Sequence, residues 1–94
     1  MVVTRYFRRT IFTYSTLKPL TIEYKKGAYE YRAKYYAELA TFESHFGYTD
    51  RRDGCEITVK VHSFAGESIG IIQFFEITGE EEAVQKEAEY ICSI

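Results

Sequence analysis

Proline is nearly missing from this chain, with Pro19 the one example in 94 residues, so regular elements elsewhere meet no built-in breaker. Cysteine is scarce as well. The two present, Cys55 and Cys92, are too few and too far apart for a disulfide scaffold or a zinc knuckle; they read as reduced core thiols, a single bridge between them being the other arrangement. The longest apolar stretch, Ile69 to Phe75, is interrupted by Gly70 and Gln73 and falls far short of the ~20 apolar residues that cross a bilayer. The opening residues Val2-Val3-Thr4-Arg5-Tyr6-Phe7-Arg8-Arg9 lack the apolar run and small-residue cleavage site of a secretory leader. Cytoplasmic residence with no membrane association is the expectation. No glycine-rich phosphate loop, nucleophile elbow or paired-acid motif occurs.

What remains is the composition of an ordinary globular protein, 46% hydrophobic and 28% charged, long enough for a single domain over residues 1–94 built on one core. Val2 to Thr16 is rich in β-branched and aromatic residues and reads as a long strand ending at Ser15-Thr16-Leu17-Lys18-Pro19. Leu20, Ile22 and Tyr24 alternate with polar residues, so a second strand should form a hairpin with the first. Ala28, Tyr31, Tyr35, Leu39, Phe42 and Phe46 then follow spacings of three and four, which predicts an amphipathic helix over about 28–46 capped by Gly47. Asp50 to Gly54 is turn chemistry, and Ile57, Val59 and Val61 mark a third strand. Ser68 to Thr78 is apolar on both faces and should be a central strand. Thr78 with Glu81 resembles a capping box, and Ala83, Val84, Glu87, Ala88 and Ile91 trace a final helix.

The expected fold is therefore α+β, in the order ββαββα. Two ββα halves, about 1–47 and 48–94, give a four-stranded, mainly antiparallel sheet with both helices on one face.

Charge divides along the same line. Residues 1–52 hold ten Lys and Arg against five Asp and Glu, and residues 53–94 hold two against nine, for a net charge of −2. Either the two surfaces steer oriented binding, or they lie side by side and cancel. On the first strand, arginines alternate with aromatics, which on a sheet is how single-stranded nucleic acids are held, with rings on bases and guanidinium groups on phosphates. Arg5, Arg8, Arg9, Arg51 and Arg52 would carry that reading. Against it stand the acidic whole chain and the missing glycines of the RNA-recognition strand motif. A bulge at Arg8-Arg9 would explain the mixed faces structurally.

Nine tyrosines suggest an interface, because tyrosine joins contact area to a hydrogen-bonding tip. Tyr6, Phe12, Tyr14, Ile72 and Phe74 should form an apolar patch on the sheet face turned away from the helices, covered by a second copy or a target protein. His45 and His62 have no ligand-spaced partner in sequence, Glu80-Glu81-Glu82 suits a helix start, and Cys55 near Arg51 and Arg52 is the lone, weak nucleophile candidate. The expectation is a non-enzymatic protein-binding module without metal or cofactor, a regulator or inhibitor of a larger partner and a homodimer. Nucleic-acid binding through the basic first strand is the second reading.

Overall fold

The computed structural model describes residues 1–11 and 20–94. Its elements are β1 (Val2–Ile11), β2 (Thr21–Tyr24), α1 (Lys26–Leu39), β3 (Phe42–Arg52), β4 (Cys55–Gly66), β5 (Gly70–Glu80) and α2 (Glu81–Ser93). All strands join one antiparallel sheet in the order β2-β1-β5-β4-β3. The class is α+β, and the sheet has five strands where the sequence pattern predicts four.

The extra strand comes out of the expected helix. Asp53 and Gly54 both take positive φ, 51° and 77°, the backbone of a two-residue hairpin loop whose twist matches the flanking strands. From that loop β3 zips back along β4, from Arg52 opposite Cys55 to Phe42 opposite Ala65. Thr41 fixes the far end by donating from its backbone N–H and its hydroxyl to the Ala65 carbonyl, at 2.9 and 3.2 Å. The helix therefore stops at Leu39, and Gly47 lies within a strand instead of capping a helix. The proposed boundary between halves at 47/48 cuts through β3, so the second half is βββα.

The helices lie on opposite faces of the sheet, not on one. The cause is β5, the middle strand: Phe74 and Phe75 are neighbours, point to opposite sides, and are both buried. On one side Phe74, Ile72 and Phe64 pack with Tyr29 of α1, joined by Tyr6, Tyr24, Ala33, Tyr36 and Ala37. On the other, Phe7, Val59, Val61, Phe75 and Ile77 pack with Ala83, Val84, Ala88 and Ile91 of α2. β1 therefore needs apolar residues on both faces. Its ladder with β5 runs unbroken from Val2 to Ile11, so there is no bulge at Arg8-Arg9 and the two arginines point to opposite faces.

The capping box is also absent. β5 continues to Glu80, and the Thr78 hydroxyl meets that of Thr4 at 2.9 Å across the ladder, leaving α2 without a side-chain cap. Gly79 is required there by packing, since a Cβ would sit 2.8 Å from Cγ2 of Ile57.

Candidate interaction surface

The apolar patch foreseen on an open sheet face lies beneath α1. Phe74 is 0% and Ile72 4% exposed, and the Tyr6 ring packs 4.7 Å from that of Tyr29. Phe12 and Tyr14 lie outside the described residues. Burial, then the charge of Glu76 and the proximity of Tyr6, pushes the Tyr29 hydroxyl up to about 12, so this ring stays neutral within the core.

Of Arg5, Arg8, Arg9, Arg51 and Arg52, four are held by partners in other elements, and the exposed Arg51 bonds the loop of its own hairpin. Arg5 reaches Glu81 at 2.6 Å and Glu23 at 3.7 Å. Arg8 lies between the rings of Tyr24 and Tyr36, 5.8 and 5.7 Å from their centroids, and donates to the Tyr36 hydroxyl at 3.2 Å. Arg9 crosses to the other face, where its Nε donates to Gln73 and its Nη1 to the carbonyl of Ile91, each at 2.9 Å. That carbonyl belongs to the last turn of α2, so Arg9 supplies the cation that the helix's own C-terminal turn lacks. Arg51 donates to the Gly54 carbonyl at 2.6 Å. Arg52 bonds Glu87 through Nε at 2.7 Å, lies 3.3 Å from Asp50, and covers the Tyr90 ring at 4.4 Å. The Arg5–Glu81 and Arg52–Glu87 pairs bring the basic and acidic halves together.

Glu87 is the unexpected member of the core. It is 0% exposed, on the face of α2 turned to the sheet, and accepts from Arg52 at 2.7 Å and from the Tyr48 hydroxyl at 3.0 Å. Burial and the bond to Glu87 both raise the pKa of Tyr48, so its proton stays available to the carboxylate.

The surface left over is the outer face of α1. Tyr31, Tyr35 and Leu39 are 69%, 46% and 40% exposed, and spacings of four place them on one side of the helix. The inward side is the stripe Tyr29, Ala33, Tyr36, Ala37 and Ala40. Sequence spacing chose the wrong stripe because it held the larger side chains. The usable signal was the alanines, whose small volume lets a helix settle close on a sheet between two tyrosines. Lys25, Lys26, Arg32 and Lys34, on or just before α1, enter no ion pair among the described residues. The outer face therefore combines exposed aromatic surface with charges of both signs, those four cations standing with the exposed Glu30 and Glu38 of the same helix.

His45 and His62, remote in sequence, are opposite each other on β3 and β4, with ring centroids 5.1 Å apart. Among the described residues no set of three His, Cys, Asp or Glu is placed to hold a metal. Burial first, then His45, lowers the pKa of His62 from 6.5. A histidine with a depressed folded pKa gives stability that is complete above the unfolded value and lost as pH falls below it. Melting temperature should accordingly drop on acidification below about 6.5, and the drop should shrink in His62→Gln; equal acid sensitivity in both proteins would exclude His62 as its source.

Cys55 and Cys92 are both half-buried thiols, Cys55 packing against the α2-side core. No helix among the described residues is long and apolar enough to cross a membrane. No protein-family model, curated protein or solved structure matches the chain.

Proposed function

We propose that the chain is a non-enzymatic protein-binding module, a regulator of a larger partner, that docks through the outer face of α1. One observation carries this reading: Tyr31, Tyr35 and Leu39 stand exposed in a single stripe beside Arg32 and Lys34. Tyrosine and arginine are enriched at protein interfaces and their hot spots, and the tyrosine ring adds much contact area for few ordered torsions. Lys25, Lys26, Arg32 and Lys34 outnumber Glu30 and Glu38 along this segment and so favour an acidic partner surface, which speeds encounter and fixes orientation.

The nucleic-acid reading is weakened by the fate of Arg5, Arg8, Arg9 and Arg52, all held by partners within the fold. A photo-crosslinking residue at position 35, introduced in the native host, should trap one protein with an acidic surface. Binding of that purified protein should weaken with added salt and be lost in the Tyr31→Glu, Tyr35→Glu variant. Oligonucleotide binding at low salt that Arg8→Ala with Arg9→Ala abolishes would favour the nucleic-acid reading instead.

A further inference from the structure

A different surface, independent of α1, is the outer edge of β3. This strand is the last in the sheet, and Phe42 and Phe46 on it are 64% and 54% exposed. A long exposed edge with apolar side chains is a template for another strand, and proteins usually blunt such edges with repelling charge or distortion. Here neither device is in place. The register with β4 is continuous from Phe42 to Arg52, and the charges on the edge have opposite signs at its two ends.

Hydrogen-bonding parity shows which groups the edge offers. A two-residue loop closes on a hydrogen-bonded pair, here Arg52 with Cys55, so Arg52 and every second residue before it direct their backbone groups toward β4. Glu43, His45, Gly47, Thr49 and Arg51 therefore turn theirs outward. Consistent with this, the Arg51 N–H bonds the neighbouring Asp50 carboxylate at 2.8 Å and not β4.

Gly47 is the middle of that outward set, with Glu43 four residues before it and Arg51 four after. We infer that β3 pairs antiparallel with β3 of a second copy, about a two-fold axis at Gly47, continuing the sheet across both subunits. In this register Gly47 faces its own counterpart, His45 faces Thr49, and Glu43 faces Arg51 of the partner subunit, twice by symmetry. Phe46 lies against the partner subunit's Tyr48, so each exposed ring gains cover. Gly47 keeps the axis free of side chains, where backbones approach closely; its missing Cβ also spares a 3.3 Å contact with the Val59 carbonyl inside the subunit. Moving the axis by two residues in either direction separates Glu43 from Arg51, and a parallel pairing sets Glu43 beside Glu43. Of these registers, the antiparallel one centred on Gly47 is the one that joins Glu43 to Arg51 while pairing β3 over nearly its whole length.

The test is sedimentation equilibrium of the full chain with three charge variants. The parent should dimerise reversibly. Arg51→Glu and Glu43→Arg should each weaken the dimer about tenfold, since two attractive cross-strand pairs become repulsive. The double exchange Glu43→Arg with Arg51→Glu should restore the parent's dissociation constant to within about threefold. Rescue by the double exchange excludes a folding defect as the cause of the single-variant losses. A chain that is monomeric at millimolar concentration would overturn the inference, as would a dimer indifferent to Arg51→Glu or one the double exchange fails to restore. Failure here leaves the α1 reading intact, because crosslinking from position 35 reports on the other surface.

Discussion

Phe74→Ala should lower unfolding stability by about 3–5 kcal/mol, the range for truncating a large aromatic in a packed core. Phe74 is 0% exposed, on the middle strand, and its ring is met by those of Tyr29, Phe64, Tyr36 and Tyr24 at 5.6, 5.8, 5.9 and 6.4 Å. Two of those rings, Tyr29 and Tyr36, are what α1 places on the sheet. The helix has 14 residues and no side-chain cap, so tertiary packing and not intrinsic propensity holds it. Amide exchange should therefore quicken in α1 more than in α2, whose core lies on the opposite face. Equal acceleration in both helices would show that the two cores act as one.

A second large effect is expected at Arg52. Arg52→Met leaves the enclosed Glu87 carboxylate without its cation, and an uncompensated buried charge costs about 3–5 kcal/mol. Tyr48 alone, donating at 3.0 Å, offsets part of that cost. Adding Glu87→Met to the variant removes the stranded charge and should recover most of the loss, because replacing both members of a buried pair by apolar residues is often neutral or stabilising. Denaturant midpoints of the parent, both single variants and the double close this cycle. A double variant no more stable than Arg52→Met would mean that the deficit arises from lost packing against Tyr90.

Several parts of this fold were legible in the residues. β5 declared itself central by carrying apolar side chains on both faces, and α2 by a stripe with Glu87 inside it. What the sequence hid was pairing at a distance. His45 and His62 meet only through the β3–β4 register. The partners of Glu87 come from β3, a segment whose Phe42 and Phe46 happen to continue the helical spacing of Tyr35 and Leu39. Local period could not arbitrate there; the Asp53-Gly54 loop did, by giving β3 a complete ladder to join. The same ambiguity hid which side of α1 stays exposed. With apolar residues on two sides of α1, spacing alone could not say which side meets the sheet, and side-chain size pointed the wrong way.

The two-sided apolar patterning of β5 also bears on the helices. A sheet with one open face would leave Ile72 and Phe74 in water, so a helix on each face is the arrangement that buries both sets. That arrangement uses up the patch built from Tyr6, Ile72 and Phe74 and leaves Tyr31, Tyr35 and Leu39 outside.

The most direct test is therefore a denaturant unfolding curve of the Tyr31→Glu, Tyr35→Glu variant set beside the parent's. With both rings on the outer face of α1, the expected result is a native circular dichroism spectrum and stability within about 1 kcal/mol of the parent, as for two surface substitutions. A loss of about 3 kcal/mol or more, the signature of charge forced into a core, would place the stripe inward and remove the proposed binding surface.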